Sequence, residues 1–172
     1  MSDIQGDKAL ASKLNDLTGI DVVSMVRQGA EKIRSAAVLR VPVNHGELRN
    51  SIHTRVEDHG KEIVGVVYTD KSYAAYVEFG TGPKGAASHE GIAPEVAVSY
   101  KTSGWWFPET EISPEDAKKY RFKSIVHEGV RYYYTEGQAA QPFLYPAAQQ
   151  AGPKVAEDLK RQIEDEMKGR SI

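Results

Sequence analysis

Gly80-Thr81-Gly82-Pro83-Lys84-Gly85 has the glycine spacing of a dinucleotide-binding loop, whose backbone N–H groups meet a pyrophosphate. That chemistry needs a strand before the first glycine and a helix opening through the motif. Here a helical segment is expected before it and a proline-containing loop after it, so no nucleotide site is assigned. A Gly-x4-Gly-Lys phosphate loop fails because Ala86 follows Gly85. The five histidines are His45, His53, His59, His89 and His127, and none lies three or four residues from another. A helix-borne zinc pair is therefore not expected. His45, Asn50 and His53 echo a metal-dependent nuclease, but the spacing is loose and no basic surface supports them. There is no Gly-x-Ser-x-Gly elbow for a serine hydrolase. The acid pairs Glu109/Glu111 and Glu115/Asp116 fall in a loop and a helix start, where solvation or the helix dipole accounts for them.

Aromatic residues crowd into one segment: Trp105, Trp106, Phe107, Tyr120, Phe122 and Tyr132 to Tyr134. Lys118, Lys119, Arg121, Lys123 and Arg131 lie among them, as in a stacking platform for single-stranded nucleic acid. Six acids from Glu109 to Glu136 share the segment. Packing between protein subunits fits this mixture better, since aromatic anchors are enriched at interface cores.

Composition sets the frame. The 172 residues fit one domain, 1–172, with an elaborated insertion over 83–136 and short flexible tails at 1–7 and 169–172. A chain of this length buries roughly 70% of its unfolded surface, so it needs neither metal nor disulfide for stability. Cysteine is absent, which removes disulfides, thiolate catalysis and Cys-based zinc sites. The net charge of −2, from 22 Lys+Arg against 24 Asp+Glu, shows no basic excess for phosphate neutralisation. No apolar run approaches the ~20 residues that span a bilayer, so no membrane partner is expected. The polar, acidic N-terminus does not read as a secretory signal, and the default compartment is cytoplasmic.

The elements follow from period and punctuation. Asp7 can cap a short helix over Lys8 to Asp16, stopped by Gly19. Asp21 can start a second helix, whose stripe of Val22, Met25, Val26, Ala30, Ile33, Ala36 and Ala37 ends before Pro42. Asn44-His45-Gly46 is turn chemistry. From Ser51 the period changes to two, giving a hairpin that turns at Asp58 to Lys61 and returns over Ile63 to Tyr68. Asp70 can cap a helical segment over Ser72 to Phe79, ended by Gly80. Residues 81–104 read as a long mobile loop, with only Val96, Val98 and Tyr100 alternating. Ser113-Pro114-Glu115-Asp116 is a compact helix start, and Phe122 to His127 and Val130 to Thr135 read as strands joined at Glu128-Gly129. Pro142 and Pro146 bracket Phe143 and Leu144, expected buried anchors at a strand-to-helix corner. Beyond them Val155, Leu159, Ile163 and Met167 define a long C-terminal helix, expected to be interrupted or kinked at Gly152-Pro153, with outer pairs Glu157–Arg161 and Glu164–Lys168. The fold class is α+β: an antiparallel sheet packed by an N-terminal helix and a long C-terminal helix, with an extended loop insertion.

Three stretches together resemble a family. They are Pro42-Val43-Asn44-His45-Gly46-Glu47-Leu48-Arg49-Asn50-Ser51-Ile52, Tyr73-Ala74-Ala75-Tyr76-Val77-Glu78-Phe79-Gly80-Thr81-Gly82, and Thr135-Glu136-Gly137-Gln138-Ala139-Ala140-Gln141-Pro142-Phe143-Leu144-Tyr145-Pro146-Ala147. In this order, over about residues 8 to 168, they resemble the tail-completion, or head–tail joining, family of long-tailed bacteriophage and prophage neck proteins. The loop between Gly82 and Thr135 is longer than that pattern, and Gly152-Pro153 departs from it. The resemblance implies a virion structural protein with no catalytic, cofactor or metal residues. It implies copies of itself in a ring, contacts with adjacent neck and tail proteins (stopper or connector, tail terminator or tail tube), and DNA passing through the lumen without sequence-specific binding. It also implies location in the virion neck or tail after assembly in the host cytoplasm. A heterologous ring contact needs two complementary side surfaces. Glu78, Phe79, Gly80, Thr81, Trp105 and Trp106 are the candidates for it. Pro42, Gly46, Leu48, Ser51, Ile52, Gln141, Pro142, Phe143, Leu144 and Pro146 are the candidate structural anchors. Glu78 stands at the unfavourable end of its short helix and needs a compensating donor: a backbone N–H or an arginine of the same chain, Arg49 being the natural candidate, or a donor on a neighbouring subunit. The alternatives are a phage-encoded metal-dependent nuclease, or another neck component such as a stopper or tail terminator.

Overall fold

The structure is a computed structural model and describes residues 20–42, 46–60 and 62–169. The helix expected over Lys8 to Asp16, the tail 1–7, the turn residues Asn44 and His45, and residues 170–172 lie outside the described residues. In chain order the elements are α1 (Val22–Arg40), α2 (Gly46–Asn50), β1 (Ile52–Asp58), β2 (Ile63–Thr69), α3 (Ala74–Phe79) and α4 (Gly82–Ala87). There follow β3 (Trp105–Pro108), a 3-10 turn (Glu109–Glu111), α5 (Pro114–Tyr120), β4 (Lys123–His127), β5 (Val130–Thr135) and α6 (Leu144–Gly169). The fold is α+β, and the chain forms two compact units.

The first unit takes the described residues of 1–40, 45–70 and 147–172. Asp21 starts α1 as its sequence predicts, its Oδ1 accepting from the Ser24 N–H at 3.0 Å. Ala30 and Ala37 of the apolar stripe are buried. That stripe lies across both strands of the antiparallel β1–β2 hairpin, registered from Ile52↔Thr69 to Asp58↔Ile63. Across this contact the Thr54 hydroxyl donates to the Glu31 carboxylate, which Arg34 also holds at 2.8 Å. Leu48, Ser51 and Ile52 are buried at the α2–β1 junction. Full burial of Leu48 and Ile52 contributes about 1.5–3 kcal/mol apiece. Ser51 Oγ reaches Thr69 Oγ1 at 2.6 Å and closes the open end of the hairpin. Within this unit α6 lies against α1, with Lys32 Nζ 2.7 Å from Asp158 Oδ2. The helices come close at Gly29, where a Cβ would stand 2.7 Å from Val155 Cγ1.

The second unit takes residues 71–146 with the described residues of 41–44. Its sheet has the order β3-β5-β4, antiparallel throughout. Ser113 caps α5 by accepting from the Asp116 N–H at 3.0 Å, with Pro114 at the first helical position. Glu128 (φ 49) and Gly129 (φ 81) form the two-residue β4–β5 turn, both in the left-handed region that such turns require. Phe107, Phe122 and Tyr133 pack ring against ring, Phe107 and Phe122 edge-on at 5.4 Å.

Several expectations need correction. Gly46 opens a short helix, and it is exposed with open space where a Cβ would be, so among the described residues nothing packs against it as an anchor. Asp70 caps nothing: α3 starts at Ala74, with Tyr73 at the cap position and no side-chain cap bond. Within the stretch expected to be loop, Gly82–Ala87 is helical, because Pro83 sits in its first turn and Gly85 N–H bonds Thr81 O at 2.9 Å. Val96 to Tyr100 form no strand, while Trp105–Pro108 do. Among the described residues two sheets stand in place of one. Helix α6 starts two residues before Pro146 and runs uninterrupted through Pro153. The ion pairs within it are Asp158–Arg161 at 3.1 Å, where Asp158 also meets Lys32 of α1, and Lys160–Glu164 at 3.9 Å, and neither is one of the two expected.

Candidate functional site

The short helix α3 buries Ala74, Val77 and Glu78, an i, i+3, i+4 set on one face. Glu78 is only 5% exposed, and a carboxylate in such a place requires donors. It has three, all backbone. Its Oε2 accepts from the N–H groups of Phe143 at 2.7 Å and Leu144 at 3.0 Å, and its Oε1 accepts from Tyr145 at 2.9 Å. These are the first amides of α6, which have no partner inside the helix. Gln141, Pro142 and Phe143 offer no Ser, Thr, Asp or Asn to cap them. Glu78 supplies the cap from 65 to 67 positions earlier and places a negative charge at the positive end of α6. Of the donors expected for Glu78, backbone N–H groups of the same chain are the ones found; Arg49 instead donates from Nε to Val38 O at 3.2 Å.

Around this cap two stretches of chain run side by side. Thr81 and Gln138 form an antiparallel bridge, with N–H to O distances of 2.9 and 3.1 Å. Gln141 N–H donates to Val77 O at 2.8 Å, and the Gln138 side-chain amide donates to Tyr76 O at 2.7 Å. The approach is so close that only glycine fits on either side. Gly80 has φ 75, and a Cβ there would lie 2.7 Å from Ala140 N. Gly137 has φ 83, and a Cβ there would lie 2.0 Å from Thr81 O. Tyr100 adds a third strut, its hydroxyl donating to Phe79 O at 2.8 Å. Beneath the clasp Phe143 is fully buried, at 0% exposure.

The structure thus gathers Glu78, Phe79, Gly80 and Thr81 with Gln141, Pro142, Phe143 and Leu144 into one arrangement. Leu144 and Pro146 are half-buried rather than fully buried, and the Gln141 side chain is exposed, its contribution being its backbone N–H. Pro42 is half-buried. Trp105 is half-buried on β3 with the Lys101 ammonium 4.9 Å from its ring centroid. Trp106 is 45% exposed and packs 5.2 Å from Tyr134. Gly137 and Gln138, which the sequence offered only as part of the third motif, and Tyr100, offered only as part of a short alternating stretch, belong to the clasp; the positive φ of Gly137 leaves only its residue type as a trace. The carboxylate of the clasp is committed to backbone amides, so the arrangement holds chain segments together and directs no acid outward. Of the residues that echo a nuclease, His53 lies on β1 with its ring 5.9 Å from that of Tyr68, Asn50 is exposed and His45 lies outside the described residues. Among the described residues no group of three His, Cys, Asp or Glu is placed to hold a metal ion, and no helix is long and apolar enough to cross a membrane.

Comparison with curated proteins and with solved structures returned no match. Residues 8–80, which take in α1, the β1–β2 hairpin and α3 with Glu78, match the model of a family described as "Bacteriophage HK97-gp10, putative tail-component", and this match supports a phage tail or neck family for the chain.

Proposed function

We propose that the chain is a non-enzymatic virion protein of the phage neck, one subunit of the ring stack that joins the DNA-filled head to the tail. The observation that carries this reading is the family match over residues 8–80. The clasp supports extending it, because Glu78 inside the matched region is bonded to Phe143, Leu144 and Tyr145 in the third of the family-like motifs. In this reading the partners are further copies in a ring and adjacent neck and tail proteins, and DNA slides through the lumen. A net charge of −2 suits a conduit, since tight phosphate binding would hold the DNA in place. The surface beside the clasp, with Phe79, Thr81, Trp105 and Trp106, is the proposed subunit contact, while Glu78 and Gly80 are buried and hold the corner from within. Its outward groups are Tyr76 and Trp106, both exposed.

The test is electron microscopy of particles assembled without this chain, or with Trp106→Asp in it. Separate filled heads and finished tails are expected, and purified protein added back should join them. Normal particles in the absence of the chain would refute the neck role. Metal-dependent cleavage of plasmid DNA by the purified protein, lost on substitution of His45 or His53, would move the assignment to an enzyme.

A further inference from the structure

Strand β4 is an outer strand of its sheet, and all five of its residues are exposed. Outer strands are usually shielded by charge, proline, a bulge or a covering element. β3, at the other side of the sheet, is shielded. The two-residue turn makes His127↔Val130 a hydrogen-bonded pair, so by alternation β4 turns Lys123, Ile125 and His127 towards β5. The β5 residues facing β3 are then Arg131, Tyr133 and Thr135, which leaves Trp106 and Pro108 as the residues whose backbone faces outward from β3. Pro108 has no N–H to offer. β4 has no such block. Its outward backbone groups belong to Ser124 and Val126, each with a donor and an acceptor, and at its centre Ile125 and Val126 are 48% and 62% exposed.

The charges around β4 name an occupant. Lys118, Lys119, Arg121 and Lys123, all exposed, precede or open the strand, and Glu128 follows it. A segment that pairs antiparallel with β4 and is acidic opposite Arg121 and Lys123 fits this pattern, and β4 itself is such a segment. Turned about a two-fold axis at Ile125, Ser124 exchanges backbone bonds with Val126 of the partner subunit. Ile125 then meets Ile125 of the partner subunit, and the turn after β4 that carries Glu128 of the partner subunit comes to the end of β4 that carries Arg121 and Lys123. We infer that in the free protein the β4 edges of two copies pair antiparallel about Ile125, joining two three-stranded sheets into one of six strands. The pairing is isologous and closed, so it cannot propagate a ring. It covers the outward backbone groups of Ser124 and Val126, and it does not depend on the neck reading.

Sedimentation equilibrium of the full chain over a concentration series tests this. The mass should rise from 19.0 kDa towards twice that value with concentration. Val126→Pro removes an outward N–H and leaves the bonds to β5, the position where an outer strand tolerates proline. Ile125→Lys sets two like charges face to face without altering the backbone. Both variants should stay at 19.0 kDa with an unchanged circular dichroism spectrum. In the wild type, hydrogen exchange at Ser124 and Val126 should slow as concentration rises, a readout that needs no substitution. A wild type that remains monomeric, an associated state that survives either folded variant, or exchange at these amides that ignores concentration overturns the inference.

Discussion

Glu78→Ala removes the cap of α6 and leaves three backbone donors without an acceptor. Phe143 has no exposure, so its stranded N–H carries a desolvation penalty of about 1–3 kcal/mol. Leu144 and Tyr145 are half-buried and recover water in part. Loss of a capping side chain typically costs ~1 kcal/mol, and loss of a negative charge at a helix N-terminus adds about 0.3–1 kcal/mol. The expected destabilisation is about 3 kcal/mol, which lowers the melting temperature by roughly 6–12 °C for a chain of this size. Glu78→Gln should fall between this variant and the wild type. Its oxygen can still serve Phe143 and Leu144, but its amide then opposes the Tyr145 N–H, donor against donor. The assay is thermal and denaturant unfolding of the free subunit, with hydrogen exchange reporting whether Phe143 and Leu144 lose protection first. Because the donors lie in the same chain, the loss must appear without any partner. A midpoint shift equivalent to less than about 0.5 kcal/mol, the range of an ordinary surface substitution, would refute the claim that Glu78 carries the clasp.

Phe143→Ala should cost about 3–5 kcal/mol, read from the denaturation midpoint, since the ring is fully buried. Gly137→Ala should lose the Thr81–Gln138 bridge, because the added carbon would overlap Thr81 O and φ is 83; rapid exchange at the Gln138 amide should report it. Asp158 has its carboxyl held below the ordinary carboxylate value, chiefly by the hydrogen bond from Lys32. A depressed value stabilises the fold above the unfolded carboxylate pKa, and that contribution is lost as pH falls through the folded value. Lys32→Met should therefore flatten the acid side of the stability–pH profile, and an unaltered profile would show that the pair contributes nothing.

What the sequence revealed was local. The β1–β2 hairpin was legible because Ile52, Thr54 and Val56 alternate with His53, Arg55 and Glu57 and a glycine-containing turn follows. The α5 start and the β4–β5 turn were legible because Ser113-Pro114 and Glu128-Gly129 are short signals with one geometric meaning. Helix α4 was hidden because Gly-Pro-Lys-Gly-Ala-Ala reads as loop by composition, and its ladder is anchored by Lys84 N–H bonding Glu136 O far along the chain. β3 was hidden because its partners on β5 lie 24 to 30 positions on and consecutive aromatic residues show no period. The need of Glu78 for a compensating donor was readable from its place at the end of α3. That a same-chain backbone N–H could be that donor was readable too; which amides was not, because a side chain bonded to backbone 65 to 67 positions away leaves no spacing to detect.

The Thr81–Gln138 bridge is also the point where the chain departs and returns. The 56 residues between them leave from one hydrogen-bonded pair and come back to it, separated by 57 positions. The entropy of closing such a loop grows only with the logarithm of its length, so doubling it costs about 0.6 kcal/mol. An excursion tied at its neck is therefore free to lengthen or shrink between related chains while Gly80, Gly137 and the Glu78 cap stay in register. The same geometry sets a kinetic order. Helices and hairpins close within a few residues, whereas the clasp joins segments 57 to 67 positions apart, brought nearer once β3 pairs with β5, so its bonds should follow that pairing and be slow to reappear on refolding.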